Sequence, residues 1–253
     1  MFTPSPLRGL LCELHAHSTW SDGSLTIREL VDLYGAAGFD VLCITDHAFA
    51  RHDPWLDLPQ PDGHPPAHVH AVNYAAYLEA IDAEAEDARA RYGLLLLPGL
   101  ELTVNDRDPD LAAHAVAVGL REYVSPDFGI AGAMQAAREA GAAVIAAHPH
   151  GTERDALPLR TTRRFWREWE ELAPHVDRVE LFNRNDVFGW VASARLPAVA
   201  TGDFHRPPHL STWKTLLPCP PAESAVVAHL RSPEPAYLLP FRADVSVRER
   251  TAA

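Results

Sequence analysis

The chain has 253 residues, of which 47% are hydrophobic, and a formal net charge of −12 at pH 7. This length suits one large α/β domain or two small ones, and the acidic balance argues against a broad nucleic-acid surface, which would have to be basic. No apolar run reaches the roughly 18–20 residues of a membrane span and the first residues lack the pattern of a signal peptide, so we expect a cytoplasmic protein that does not bind membranes. The three cysteines, an odd number without a Cys-x-x-Cys pair, favour neither a disulfide framework nor a cysteine zinc site.

Apolar runs alternate with segments of helical periodicity along the chain. In chain order, the predicted strands cover residues 10–15, 41–45, 94–101, 114–118, 143–147, 178–182 and 198–201. The helices predicted between them cover about residues 27–37, 74–91, 130–140, 161–172 and 187–195. A helix near 223–230 and a short strand near 237–239 are expected to close the fold, within about 214–242.

Seven short strands that alternate with helices are typical of a parallel α/β barrel. The sequence shows no flexible linker, composition break or repeat, so we expect residues 1–253 to form a single domain. Residues 48–72 are rich in Pro, His and Asp and have no periodicity, which is typical of a lid or binding loop. In such barrels the active site lies at the carboxyl ends of the strands, so the residues that follow each apolar run are the candidates for function.

The first predicted strand ends in two histidines, His15 and His17. Side chains at positions i and i+2 of a strand point to the same side, so these two imidazoles can converge on one metal ion. A carboxylate, Asp22, follows in the loop behind them. A His-x-His pair is a weak signal when it stands alone, because both residues could be buried structural histidines.

Later strand ends supply further residues of the same kind. The candidate ligands, taken together, are His15, His17, Asp22, His47, Glu101, His114, His148, Asp203 and His205. Singly, each has an ordinary structural alternative, such as a turn residue at Asp22 or a buried strand histidine at His114. Their joint placement at strand ends favours a metal centre. Histidine and carboxylate ligands without thiolates suit zinc, manganese or iron, and nine of them suit two or three ions.

These residues fall in a series of ordered motifs. The motifs are His15-Ala16-His17-Ser18 with Ser21-Asp22-Gly23, Ile44-Thr45-Asp46-His47, Pro98-Gly99-Leu100-Glu101, His114, His148-Pro149 and Gly202-Asp203-Phe204-His205. They span residues 13–205, and the set resembles that of the PHP (polymerase and histidinol phosphatase) family of metal-dependent phosphoesterases. The resemblance implies a distorted (β/α)7 barrel of the TIM-like kind, which agrees with the seven strands predicted above.

The resemblance also implies how three divalent ions would be held. The first ion would be bound by His15, His17, Glu101 and Asp203. The second would be bound by Glu101, His114 and His148, with Glu101 as the bridge, and the third by Asp22, His47 and His205. Some family members have His where this chain has Asp22, so we expect the third site to be altered rather than lost, because a carboxylate still suits manganese or iron.

The reaction that the resemblance implies is phosphoester hydrolysis by a water that bridges two ions. That water would be held by Glu101, Asp203 and His148 and deprotonated there, so that it attacks phosphorus as hydroxide. Asp46 is expected to orient a ligand histidine, and His150 either to do the same or to act as the catalytic acid. For the phosphate group of the substrate, the candidate side chains are Arg154 and Arg184.

The expected substrate is a small phosphate ester, a nucleotide or the end of a short oligonucleotide. Histidinol phosphate is less favoured, because Ser21-Asp22-Gly23 looks more like the general phosphoesterase branch of the family. The nearest alternative is an amidohydrolase-like binuclear hydrolase of C–N or C–O bonds. Such enzymes also begin with His-x-His, but they often bridge their ions with a carboxylated lysine, and this chain has no lysine in its middle strands. A catalytically inactive metal-binding module is the remaining alternative.

Overall fold

A computed structural model describes residues 9–57, 66–151 and 162–243, and a single eleven-stranded sheet runs through these ranges. The strands are β1 (Leu10–Glu13), β2 (Val41–Ile44), β3 (His47–Phe49), β4 (Leu95–Val104), β5 (Ala113–Val118), β6 (Ala143–Ala147), β7 (Arg178–Asn183), β8 (Asp186–Val187), β9 (Ala198–Thr201), β10 (Trp213–Leu217) and β11 (Tyr237–Pro240).

The strand order along the sheet is β11-β10-β1-β2-β4-β5-β6-β7-β8, with β3 paired to β4 and β9 paired to β7. Pairs β1/β2, β2/β4, β6/β7 and β7/β9 are parallel. Strand β5 is antiparallel to both of its neighbours, and β10 is antiparallel to β1.

The sheet curls until the carboxyl ends of β1 and β9 meet. Ala16 and Phe204, just beyond these strands, form a parallel bridge. The His17 N–H donates to the Phe204 carbonyl (2.8 Å), and the Phe204 N–H donates to the His15 carbonyl (3.1 Å). The residues that follow β1 and those that follow β9 are therefore neighbours, although nearly 190 positions separate them in the chain.

Helices lie between the strands. They are α1 (Ile27–Ala36), α2 (Tyr74–Tyr92), α3 (Gly129–Glu139), α4 (Arg164–Arg167), α5 (Trp169–Leu172), α6 (Gly189–Ser193) and α7 (Glu223–Leu230). Short 3-10 turns cover Pro54–Asp57, Pro126–Phe128, Ala173–His175 and Pro207–Leu210. None of the helices in the described ranges is both long and apolar enough to span a bilayer.

Two apolar clusters occupy the two faces of the sheet. Alternate residues of β2 divide between them, because side chains of a strand point to opposite faces in turn. Leu42 and Ile44 pack with the buried faces of α1, α2 and α3, whereas Val41 and Cys43 pack with residues of α7 such as Val226. Burial on both faces explains why the strands read as continuous apolar runs rather than as alternating ones.

Each of the seven predicted strands is present, and the mixed α/β class is confirmed. The purely parallel alternation is wrong at β5, because only a short turn separates it from β4 and a connection of that length cannot make the crossover that parallel pairing needs. The helix expected over about 161–172 is divided into α4 and α5 in the described part of that range. The expected 48–72 loop contains part of the short strand β3, and its residues 58–65 lie outside the described ranges.

Helix α1 begins with a capping box. Thr26 Oγ1 accepts a hydrogen bond from the Glu29 N–H, and the Glu29 side chain accepts one from the Thr26 N–H. Replacing a capping Thr by Ala costs about 1 kcal/mol. We therefore expect Thr26→Ala to lower the free energy of unfolding by about 1 kcal/mol, measured by urea denaturation.

The matched control is Thr26→Ser, which keeps the hydroxyl and should unfold within a few tenths of a kcal/mol of the wild type. Equal stabilities of the Ala and Ser variants would show that the box does not stabilise α1.

Candidate metal centre

The nine predicted ligands lie together at one edge of the curled sheet. His15 and His17 follow β1, His148 follows β6, and Asp203 and His205 follow β9. His47 begins β3, and Glu101 lies within β4 directly opposite it in the parallel register. Each of the nine has a nitrogen or oxygen atom within 3.8 Å of an atom of another member.

The direction of β5 places His114 in this group. His114 lies near the amino end of β5, in register with Thr103 of β4 and Ala147 of β6. Since β5 is antiparallel to both strands, its amino end lies at the edge where theirs have their carboxyl ends. A parallel β5 would have carried His114 to the opposite edge of the sheet.

The carboxylate of Glu101 is the centre of the group. Its Oε1 lies 3.0 Å from His114 Nδ1 and 3.0 Å from His148 Nε2. Its Oε2 lies 2.8 Å from His47 Nδ1, 3.3 Å from His17 Nε2 and 3.4 Å from His15 Nε2. Five imidazoles therefore surround one carboxylate.

Within the described residues, Glu101 Oε2 is buried and has no hydrogen bond. His47 Nδ1 is near enough but lacks the alignment that a hydrogen bond requires. A buried carboxylate oxygen without a partner is costly. A divalent cation held between this oxygen and the surrounding imidazole nitrogens would remove that cost, so the donor set fits a metal ion.

Three subsets of the group have ligand atoms within 4.8 Å of one another. They are His15, His17 and Asp203; His47, Glu101 and His114; and His17, Asp22, His47 and His205. The first contains three of the four residues predicted for the first ion and lacks Glu101, and the third contains the residues predicted for the third ion together with His17. The second contains His47, whereas the prediction had His148, which touches Glu101 through its Nε2 instead. His17 and His47 thus each belong to two subsets, so the three subsets form one continuous centre.

Burial and neighbouring charges shift the pKa values of residues within the group. Burial opposes ionisation of Glu101, but His47 and His15 outweigh it and hold the pKa of Glu101 well below its usual value. Burial, together with the charges of His205 and His47, lowers the pKa of His17 to about 3. An ionised carboxylate and a neutral imidazole are the forms that bind metal ions.

The pKa values of His15 and His205 are raised by neighbouring carboxylates. Burial lowers the pKa of His15, but Asp203 and Glu101 outweigh it and raise that pKa well above its usual value. Against the same effect of burial, Asp203 and Asp22 raise the pKa of His205 to about 10. The carboxylates therefore favour positive charge in this part of the centre, which a bound cation would supply in place of the protons.

Glu180 is a functional candidate that the sequence did not single out. Its Oε1 lies 2.9 Å from His15 Nδ1 and accepts a hydrogen bond from Thr201 Oγ1, while its Oε2 accepts from the His148 N–H (2.6 Å) and Asn183 Nδ2. Glu180 thereby fixes His15 with Nε2 facing the centre and also fixes the backbone of His148. A carboxylate in an otherwise apolar strand was the only sequence signal for it.

Asp46 is connected to the candidate ligand His17 through another side chain, that of Ser21. Its carboxylate accepts hydrogen bonds from the Ser18 hydroxyl (2.7 Å), the Ser18 N–H (2.8 Å) and the Ser21 hydroxyl (2.5 Å). The Ser21 oxygen in turn lies 3.3 Å from His17 Nδ1. The geometry therefore connects Asp46 to His17 by way of Ser21 rather than by a direct contact.

His150 lies beside the centre without joining it. Its Nδ1 is 3.3 Å from Thr162 Oγ1, which is also 3.1 Å from His148 Nδ1 and donates to the His148 carbonyl. Burial and the nearby charge of His148 lower the pKa of His150 to about 4. This favours the neutral imidazole, a form that can orient a neighbour through a hydrogen bond.

Of the two candidate phosphate-binding residues, Arg184 lies at the centre and Arg154 falls outside the described residues. Arg184 Nε donates to the Asp203 carbonyl (2.9 Å), and its NH2 group lies 2.9 Å from Asp203 Oδ1 and 2.8 Å from His205 Nδ1. The guanidinium, about one third exposed, therefore already holds two ligands.

The backbone is strained at the same edge. His148, Arg184 and Asp203 have φ values of 30°, 50° and 41°, in the left-handed region that disfavours residues with a side chain. Such conformations persist where the surrounding structure over-determines them, often at functional sites. Here the hydrogen bond that the His148 N–H donates to Glu180 and the one that Arg184 donates to the Asp203 carbonyl supply that constraint.

We expect Glu180→Gln to weaken binding of Mn²⁺ by about 10–100-fold, the usual effect of losing a group that orients a metal ligand. A glutamine keeps only one of the two oxygens that now face His15 Nδ1 and the His148 N–H. The measurement is a Mn²⁺ titration of the metal-free protein.

The matched control is Glu170→Gln, which makes the same change on the exposed surface of α5 and should leave the isotherm unaltered. An unchanged isotherm for Glu180→Gln would contradict the orienting role.

The chain is similar to several known proteins. The family model for the PHP domain matches residues 13–177. Among solved structures, a two-domain protein from Bacteroides vulgatus that contains a predicted PHP-like metal-dependent phosphoesterase has a TM-score of 0.61 at 18% identity, over 92% of this chain and 65% of the other. A candidate metal-dependent phosphoesterase from Bifidobacterium adolescentis has a TM-score of 0.49 at 16% identity, over 94% of each chain.

A short stretch also resembles a curated protein. Over 36 residues, or 14% of this chain, the sequence is 47% identical to the DNA polymerase/3'-5' exonuclease PolX of Bacillus subtilis, and the match covers 6% of that protein's length. This chain thus spans just under two thirds of the Bacteroides protein and a small part of the Bacillus one. The family match extends over most of the chain and includes seven of the nine candidate ligands, so the chain belongs to the PHP domain family.

Proposed function

We propose that the protein is a metal-dependent phosphoesterase, a hydrolase of phosphoric esters. Its substrate would be a small phosphate ester, a nucleotide or the end of a short oligonucleotide, and it would use two or three divalent ions of manganese, zinc or iron. The observation that carries the proposal is the buried Glu101 carboxylate, which five imidazoles surround and whose Oε2 has no hydrogen bond to any residue in the described ranges. Membership of the PHP family supports the reaction class.

The chain's own residues divide the work of such a site. Divalent ions, when bound, would polarise the phosphoryl group and make a water acidic at neutral pH. His15, His17 and Asp203 would hold one ion and Glu101 would bridge to its neighbour, while Glu180 and Asp46 keep the imidazoles in place. Asp203 is kept ionised because His15 and Arg184 outweigh the effect of burial and hold its pKa well below the usual value.

The net charge of −12 does not prevent an anionic substrate from binding. Bound cations are often the largest local charges in a site and can reverse its sign. We propose that Arg184, through the part of its guanidinium that faces solvent, adds a further positive charge beside Asp203. Arg154 stays a prediction. The short likeness to a 3'-5' exonuclease is the reason to include oligonucleotide ends among the substrates.

The position of the only lysine disfavours the amidohydrolase-like alternative. A carboxylated lysine that bridged two ions would have to reach the centre between them. Lys214 is instead fully buried against Glu13, with its Nζ 2.7 Å from Glu13 Oε2, and we propose that Glu101 takes the bridging role. The inactive-module alternative requires lost ligands, whereas all nine positions carry ligand side chains that lie together.

We propose further that the curled sheet is a distorted form of the (β/α)7 barrel. The antiparallel β5 and the additional strands β10 and β11 would be its departures from the regular pattern. Residues 1–253 would then form one barrel domain.

Replacing Glu101 by Gln should abolish turnover and lower the metal content together, because the amide keeps the shape but loses the charge that bridges two ions. His15→Ala should have the same double effect. The experiment strips the protein with a chelator, reloads it with Mn²⁺, Zn²⁺ or Fe²⁺, and measures phosphate release from phosphomonoesters, nucleoside bisphosphates and short oligonucleotides.

The same samples are tested on amides and lactones, which separates the two hydrolase classes. An active His15→Ala variant would overturn the assignment of ligands. Metal-loaded protein that hydrolyses amides or lactones but no phosphate ester would overturn the proposed reaction.

In the proposed assignment, Asp22 would bind only the third ion. Its Oδ1 lies 3.1 Å from His205 Nε2 and 3.6 Å from His47 Nε2, and it touches neither Glu101 nor Asp203 in the contacts of the described residues. Asp22→Ala should therefore release about one equivalent of metal per chain and spare the rest, as measured by elemental analysis. Asp22→His should retain that equivalent, and loss of all metal from Asp22→Ala would show that the sites are not separable.

A further inference from the structure

A buried ion pair lies next to the centre, and the proposed reaction does not use it. Lys214, on β10, and Glu13, at the end of β1, are both fully buried, with Lys214 Nζ 2.7 Å from Glu13 Oε2. The ammonium also donates to Thr212 Oγ1 (2.8 Å) and to the His209 carbonyl (3.3 Å). Its three N–H donors are thus all used.

The Glu13 carboxylate also accepts hydrogen bonds from residues at two strand ends. Its Oε1 accepts hydrogen bonds from the Gly202 N–H (2.8 Å) and, more weakly, from the His15 N–H (3.3 Å). Its Oε2 also accepts from the Tyr34 hydroxyl of α1 (3.0 Å). One carboxylate thereby joins the backbone of the ligand His15 to the residue that precedes the ligand Asp203.

The backbone at this junction is strained. Asp203 has a φ of 41°, and its neighbour Gly202 is bound to Glu13. A Cβ on Gly202 would lie 2.3 Å from both Glu13 Oε2 and Lys214 Nζ. Only glycine lets the charged pair approach the backbone so closely. This close contact fixes the backbone at Gly202, directly before the strained residue Asp203.

Lys214 is also connected to the candidate ligand His205, through His209. It binds the carbonyl of His209, whose Nδ1 accepts a hydrogen bond from the His205 N–H (3.1 Å). The pair is therefore connected to three predicted ligands, His15, Asp203 and His205, without touching the side chain of any.

Stability alone is a weak reason for such a pair, because burying two charges costs about as much as their attraction returns, and an apolar pair of the same volume is often as stable. We propose that Glu13 and Lys214 are positioning residues, which set the distance between His15 and Asp203 and so the affinity of the first metal subsite. The inference rests on the proposed metal centre.

The test is a Mn²⁺ titration of metal-free protein, followed by thermal unfolding of the same samples without metal. The double variant Glu13→Gln/Lys214→Met leaves no buried charge unpaired. We expect it to fold and to lose about tenfold or more in affinity for Mn²⁺. Tyr34→Phe removes one hydrogen bond to Glu13 and should weaken binding by about threefold. If the double variant does not fold, the Mn²⁺ affinity of Tyr34→Phe tests the proposal instead, and an unchanged affinity would overturn it.

The control is Arg178→Met. Arg178 is also a buried cation, but its guanidinium binds the carbonyls of Leu230, His229, Ser232 and Glu234 at the end of α7. Its loss should lower the unfolding temperature and leave the Mn²⁺ isotherm unchanged.

A double variant that binds Mn²⁺ like the wild type would overturn the proposal, as would an equal loss of affinity in Arg178→Met. Wild-type protein that binds no Mn²⁺, Zn²⁺ or Fe²⁺ would overturn the metal centre itself, and the positioning role with it.

Discussion

The constraint on which the site depends is one buried carboxylate among five imidazoles. Glu101 has no exposure to solvent, and its two oxygens lie within 3.4 Å of nitrogens from five histidines. Burial alone would keep this group neutral, but the charge of the histidines keeps it ionised. The protein thus concentrates charge where water cannot screen it. An arrangement of this kind is costly unless cations complete it, which is why the centre is better explained by metal binding than by packing.

Two features of the sheet make this arrangement possible. The closure between β1 and β9 brings the ends of distant strands into contact, so that His15 and His17 lie beside Asp203. The reversed direction of β5 turns the amino end of that strand, and His114 with it, to the same edge. Closure between the first and last parallel strands is usual in a parallel barrel, whereas the reversed β5 departs from that pattern, and both bring candidate ligands to the same edge.

Around the candidate ligands lies a set of polar groups that fix them, of which Glu180 and Asp46 are fully buried. Glu180 holds His15 and His148, Arg184 holds Asp203 and His205, and Asp46 reaches His17 through Ser21. The positive φ values at His148 and Asp203 show that the backbone accepts strain to present these side chains. Metal affinity in such a site depends on how firmly the ligands are held before an ion binds.

By itself, the sequence located eight of the eleven strands in the sheet, most of the helices and nine candidate ligands, and it missed β3, β8 and β10. Apolar runs and the polar residues that end them are local patterns, and the i, i+2 spacing of His15 and His17 fixes which side they face. Only the tertiary structure decided the direction of β5, the place of His47 beside Glu101 and the partners that orient each ligand. His15 and Glu180, for example, are 165 positions apart and meet through strand order and register. Those depend on how the whole sheet closes, because hydrogen bonds and charges act between neighbours in space, whereas a sequence pattern reports only neighbours in the chain.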